Sequence, residues 1–321
     1  MRVNYVVKHI IEYICLNQVY SENKGSSCIL TMGQTQATTH INIKEQQNDQ
    51  QTCDVKDICQ LSDGRFLVTD HANNRLKLLG VNYALVASLA TDGSPFGACE
   101  GEPGQAIVTS QFIGKTQDSV VLIAVGKSLS INSYFNVDYR CYGIAYAGGR
   151  VYVCMGSRLN VSEEKSSHVL RDEPDNLPGH VRVFSLSGEV LQTIPNDLDL
   201  TVFSEPRYIQ WSRDTKEFHV SDLTKGVVTI DTQEEVHYTV PKQSDFTSPQ
   251  GLCENINKDI IVCESKSHAL VQMTLSAKQV KVTIHESERL ERPQAVCFDN
   301  KRNNLLVACQ MSDVIEIFNA T

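Results

Sequence analysis

Residues Ile58–Leu79 read ICQLSDGRFLVTDHANNRLKLL. Phe66, Leu67 and Val68 form a short apolar run, and the turn dipeptide Asp63-Gly64 precedes it. Asp70 to Asn74 is polar and turn-prone. Beyond it Leu76 and Leu78 alternate with Arg75 and Lys77, the period-two pattern of a half-buried strand. The stretch is therefore strand, turn, strand. It contains no phosphate-binding loop and no metal-ligand spacing.

Weaker copies recur down the chain. A marker opens a strand at Val55-Lys56-Asp57-Ile58, Pro95-Phe96-Gly97-Ala98, Cys141-Tyr142-Gly143-Ile144, Pro206-Arg207-Tyr208-Ile209, Pro249-Gln250-Gly251-Leu252 and Pro293-Gln294-Ala295-Val296. Successive markers lie about 43 residues apart, except where a polar insertion at about 156–178 lengthens the third interval. A second marker, Val68-Thr69-Asp70, returns as Val220-Ser221-Asp222, Val262-Cys263-Glu264 and Val307-Ala308-Cys309. Four strands in about 43 residues is the unit of a β-propeller blade, whereas solenoids of that period are helical. Six markers predict an all-β, six-bladed propeller over 38–321, with 1–37 as a short helix or leader. The last unit supplies only three strands, at Val296–Phe298, Leu305–Ala308 and Val314–Phe318. An open blade would expose unpaired strand edges. The alternating segment Thr38–Lys44 is therefore expected to complete that blade and close the ring.

Composition limits the function classes. The chain has 321 residues, 41% of them hydrophobic, and a net charge of −9, which disfavours a strongly electrostatic nucleic-acid binder. Its 11 cysteines form no CxxC pair, so reduced thiols and a cytoplasmic location are expected. Val3–Leu16 is interrupted by Lys8, His9 and Glu12, too short and charged for a membrane span.

DGRFLVTDHANNRLKLL resembles an NHL repeat, with a hydrophobic strand ending in Asp70, then Asn73-Asn74-Arg75 and a second strand. The six-unit layout is similar to the C-terminal propeller of tripartite-motif (TRIM-NHL) ubiquitin ligases. Later units keep the acidic residue at Asp222 and Glu264 but not the Asn-Arg pair. Residues 1–37 have no Cys/His ligand spacing, so the RING, B-box and coiled coil of such ligases are expected to be absent from this chain. The resemblance implies partner or substrate recognition in a ubiquitin-ligase-type context.

Asp70, Asn73 and Asn74 read first as residues that cap tight links through backbone N–H groups. Cys253 with Cys263, and Cys297 with Cys309, are expected on neighbouring strands of one blade, as small core residues. Trp211 is expected to pack between blades. In a propeller the links between strands two and three share a face with the links joining blades. That face predicts an interaction rim of His71, Asn73, Arg207, Thr224, Lys225, Lys266, His268, Arg292 and Gln294. A mixed polar rim suits a protein or peptide partner. The expectation is a non-catalytic scaffold, with no cofactor, no metal and no membrane. Two alternatives stand beside it. One is RNA binding, seeded by Arg207, Lys225, Lys266 and Arg292. The other is a propeller enzyme such as a metal-dependent lyase or lactonase.

Overall fold

The computed structural model describes residues 40–158, 179–195, 202–233, 235–242, 246–276 and 279–319. The segment 1–37 and most of the polar insertion lie outside them. The described residues contain strands and no helix, and none of them forms a helix long and apolar enough to cross a membrane.

The first strand, β1 (His40–Asn42), precedes the repeat. Blade one is β2 (Val55–Gln60), β3 (Phe66–Asp70), β4 (Arg75–Leu79) and β5 (Leu85–Ala90). Blade two is β6 (Ser94–Glu100), β7 (Gln105–Gln111), β8 (Asp118–Val125) and β9 (Leu129–Val137). Blade three is β10 (Tyr139–Ala147), β11 (Arg150–Arg158), β12 (His180–Phe184) and β13 (Val190–Ile194). Blade four is β14 (Pro206–Ser212), β15 (Glu217–Asp222), β16 (Gly226–Asp231) and β17 (Val236–Val240). Blade five is β18 (Pro249–Glu254), β19 (Ile260–Glu264), β20 (Ala269–Ser276) and β21 (Gln279–Glu286). Blade six has β22 (Pro293–Asp299), β23 (Asn304–Cys309) and β24 (Val314–Asn319), and β1 pairs antiparallel with β24 as its fourth strand. Ile41 lies opposite Ile315, and Ile43 N–H donates to the Asp313 carbonyl. The ring closes as the strand inventory required.

Each interface between neighbouring blades holds its own apolar core. Blades therefore bury both faces of their middle strands, and β3 reads as a continuous apolar run for that reason. Two devices recur. At the third marker position, a Cβ on Gly143 would lie 2.6 Å from Tyr208 Cα, and one on Gly251 would lie 2.6 Å from the Gln294 carbonyl oxygen. Glycine there lets adjacent inner strands touch backbone to backbone. At the end of strand two, a carboxylate receives the incoming link. Asp222 Oδ2 accepts N–H bonds from Ser204 and Glu205 (2.7 and 2.9 Å), Asp70 Oδ1 accepts from Asp54, and Glu264 accepts from Ser248. The acidic marker of the sequence is thus the clasp between successive blades.

The period-two reading of β4 needs one correction. Lys77 is fully buried. Its ammonium donates to Asp49 Oδ2 (2.6 Å) and Asp70 Oδ2 (2.7 Å), with Cys53 Sγ 3.2 Å away. The segment between β1 and β2 folds over the strand and covers what alternation assigned to solvent.

Candidate functional site

Channel and plug come from the inner strands. Phe96 on β6 and Tyr208 on β14 have ring centroids 5.4 Å apart. These strands belong to blades two and four, which are not neighbours, so the contact crosses the axis of the ring. Phe96 also meets Tyr142 edge-on at 5.3 Å, and the Arg207 guanidinium lies 3.9 Å over the Tyr142 ring. This aromatic plug fills the channel toward the face where blades are linked.

Beyond the plug the channel widens to a cavity of about 360 Å³, walled by the inner strands of all six blades. It runs toward the turns between strands one and two, at Asp214, Asn255 and Asn300. That end is opposite the rim expected from the sequence. Asp57 lies in its wall at the third marker position, where the other blades have Gly97, Gly143, Tyr208, Gly251 and Ala295. Its Oδ1 accepts the Ile58 N–H and its Oδ2 the Ala98 N–H of blade two, both at 2.9 Å. Burial pushes its carboxyl up to about 7, against the opposing pull of those two bonds. Cys59, Cys99, Cys253 and Cys297 recur two residues further along in four blades, and all border the cavity as free thiols. Burial raises each thiol well above its usual range, so they remain protonated and poor nucleophiles. The mouth carries more acid than base. Glu100, Asp214 and Glu254 face Arg213 and Lys258, and Lys258 is committed to Asp214 (2.7 Å) and Glu254 (3.0 Å).

The nine rim residues fare differently. Thr224, Lys266, His268 and Arg292 are exposed, and His268 Nδ1 accepts the Arg292 N–H at 3.1 Å. Lys225 is half-buried, and its N–H and that of Thr224 bind Asp222 Oδ1. Arg207 is held on Tyr142. His71 is half-buried, with Nδ1 3.2 Å from the Pro95 carbonyl oxygen. Asn73 donates to Asp70 Oδ2 and to the Gln51 carbonyl, a staple within the blade. Gln294 corrects the expectation outright. It is 5% exposed, and its amide donates to Asp54 Oδ1 (2.6 Å) and the Val55 carbonyl (2.8 Å). Position in the repeat placed it at the rim, but its amide is needed to join blade six to blade one.

Among the described residues two groups have metal-ligand composition. Asp49, Cys53 and Asp70 surround the Lys77 ammonium, so a cation already occupies that space. Asp231, Glu235 and His237 lie on the outer hairpin of blade four, away from the channel. Among the described residues no such group lines the axial cavity. The cysteine expectation holds, and all four side chains are buried. Cys253 and Cys297 do sit one strand from Cys263 and Cys309, but their opposite residues are Ile261 and Leu306. Trp211 packs on Phe218 (4.5 Å) against the core between blades three and four. Asp57 escaped the sequence reading because it stands inside a scaffold marker. Aligning the six markers by column exposes it as the one carboxylate in a glycine-rich column.

No known protein family and no curated protein matches this sequence. Solved structures do match. Virginiamycin B lyase from Staphylococcus aureus is similar at TM-score 0.61 and 13% identity, over 89% of this chain and 99% of that one. A luciferin-regenerating enzyme is similar at TM-score 0.61 and 10% identity, over 88% of this chain and 94% of that one. The β-propeller domain of Cps50 (Swd1) from Myceliophteria thermophila is similar at TM-score 0.55 and 8% identity, over 83% and 84%. At these identities the likeness concerns the fold alone. The chain is a six-bladed β-propeller whose last blade is completed by the strand that precedes the repeat.

Proposed function

We propose that this propeller is a recognition module that binds a protein partner by taking a basic side chain into its axial cavity. One observation carries the reading. Asp57, the carboxylate at the third marker position, borders an axial cavity whose wall includes Tyr208, and Tyr208 meets Phe96 across the ring. A cavity of about 360 Å³ suits one side chain or a small polar molecule. Asp57, Glu100, Asp214 and Glu254 outnumber Arg213 and Lys258 in its lining, which favours a cation. In the context implied by the NHL resemblance, the bound segment would belong to a protein selected for ubiquitin transfer.

The test uses a fluorescent tetralysine peptide against the purified chain. Binding is expected, with affinity falling about ten- to hundredfold in Asp57→Ala, the loss of one charged hydrogen bond. Ala295 already fills the equivalent position in blade six, so the scaffold tolerates alanine there. Equal binding of tetraglutamate, or no effect of Asp57→Ala, sinks the reading. A competing single-stranded RNA that displaces the peptide would favour the RNA alternative instead.

The enzyme reading has one observation of its own. A carboxyl held near 7 inside a cavity has the acidity of a general base at neutral pH. Turnover of any small-molecule substrate that is abolished in Asp57→Ala would move the assignment there.

A further inference from the structure

The outer hairpin of blade four carries a second arrangement that the scaffold does not require. β16 ends at Asp231, and the chain turns back through Glu235 into β17. Asp231 Oδ1 accepts the N–H groups of Gln233 (2.8 Å) and Glu235 (2.9 Å), which fixes the turn. Its Oδ2 is directed elsewhere, to His237 Nε2 at 3.2 Å. The ladder between β16 and β17 then slips. Ile230 lies opposite Val236 and Thr229 opposite Tyr238, so His237 is the extra residue of a β-bulge. Bulges re-aim a side chain, and this one turns the imidazole back over the hairpin toward β15. There Nδ1 meets Glu217 Oε1, and Glu217 lies directly opposite Asp231 in the ladder.

The same bulge recurs in blades one, two and three, where the extra residue is Val86, Asn132 and Leu191. The bulge therefore belongs to the architecture, and the histidine does not. Gly80, Ala124 and Ser185 stand where blade four has Asp231. Only this blade of the four combines a carboxylate at the turn with an imidazole on the bulge.

We infer that His237 Nε2, Asp231 and Glu235 form a binding site for a zinc-class divalent cation, with Glu217 as the outer partner that orients the imidazole. Four observations agree. One ligand atom from each of the three residues lies within 4.8 Å of the other two. Zinc bonds of about 2.0–2.1 Å in a tetrahedron place neighbouring ligands about 3.3 Å apart. The Asp231 Oδ2 to His237 Nε2 separation is 3.2 Å. Both ring nitrogens bond to carboxylates, Nδ1 to Glu217 and Nε2 to Asp231; a metal would take the place of the Nε2 proton while Glu217 keeps the Nδ1 proton, the usual carboxylate–histidine–metal relay. An imidazole in the set selects zinc-class ions over magnesium and calcium, which prefer oxygen alone. Three protein ligands leave a fourth position for water or for a donor from a partner. The site stands on the outer hairpin of its blade, formed by the third and fourth strands and apart from the axial cavity, so it is independent of the reading above.

The full chain, stripped with chelator, is titrated with Co²⁺ and then with Zn²⁺. One equivalent of Co²⁺ is expected to give the visible bands of a tetrahedral site, and Zn²⁺ to erase them. His237→Ala, an exposed edge position, removes the bands. Glu217→Gln keeps them and weakens Zn²⁺ affinity about 10–100-fold. Ca²⁺ in place of Zn²⁺ leaves the Co²⁺ bands intact. Bands that survive His237→Ala, Zn²⁺ affinity unchanged in Glu217→Gln, or no cobalt signal at all overturns the assignment.

Discussion

Lys77 sits with its ammonium between Asp49 and Asp70, and replacing it with methionine leaves buried Asp70 without its cation and Asp49 with only Arg75 at 3.7 Å. Breaking a buried pair in this way costs about 3–5 kcal/mol, so Lys77→Met is expected to lower the denaturant midpoint sharply. A midpoint equal to the parent's contradicts that role. Burial alone would raise Asp70, but the bonds from Lys77 and Asn73 more than offset it and hold its carboxyl below the usual range. That contribution is present above the ordinary carboxylate range and is lost as pH falls through the lower folded value. Asp57 runs the other way. Its folded value is raised to about 7, so it favours folding at acid pH and loses that contribution as pH rises from the usual carboxylate range through 7. Carboxyl NMR should show Asp57 titrating near 7, and a midpoint near 4 would refute the burial argument. Alternation did not show the role of Lys77, and the repeat, though its column sets Asp57 apart, did not show where that carboxylate lies. Lys77 reads as exposed until the segment at 45–54 covers it, and Asp57 reads as one more marker residue until the blades converge on the axis.

Strands were more legible than the residues upon them. The recurring marker located the inner strand of every blade, and at its third position Gly97, Gly143 and Gly251 let inner strands meet backbone to backbone. Alanine at Gly143 would place its Cβ 2.6 Å from Tyr208 Cα and 2.8 Å from the Arg207 carbonyl oxygen. Backbone cannot move aside as a side chain can, so Gly143→Ala is expected to lose about 1–3 kcal/mol, read as a lower melting temperature. Gly148, whose Cβ would meet nothing within 4 Å, sits at φ +57° and serves as the control for backbone strain without crowding. The acidic clasp was legible too. Asp222 takes four N–H bonds, from Ser204, Glu205, Thr224 and Lys225. The rim was not, because exposure depends on which loop atoms the clasps consume. His71, Asn73 and Gln294 are spent on holding blades, and Lys266, His268 and Arg292 are left at the surface.

At the scale of the molecule the ring is held by its first strand. Ile41 and Ile43 are buried at the junction of blades six and one, each worth about 1.5–3 kcal/mol of burial. A chain lacking residues 1–44 is expected to melt well below the parent, and an unchanged melting temperature would show that blade six closes without β1. Architecture was readable because six imperfect repeats constrain one another, whereas the proposed function rests on a cavity assembled from single residues of six blades. The charge of that cavity gives the reading its sign with pH. A cation binds the ionised form of Asp57, so affinity should rise as pH climbs through about 7 and then level off. The most direct measurement is the amide NMR spectrum of the chain as tetralysine peptide is added. Shifts are expected first at Ile58 and Ala98, whose N–H groups are bonded to the Asp57 carboxylate. Shifts confined to Lys266, His268 and Arg292, with Ile58 and Ala98 unmoved, would place recognition on the opposite face and contradict an axial binding site.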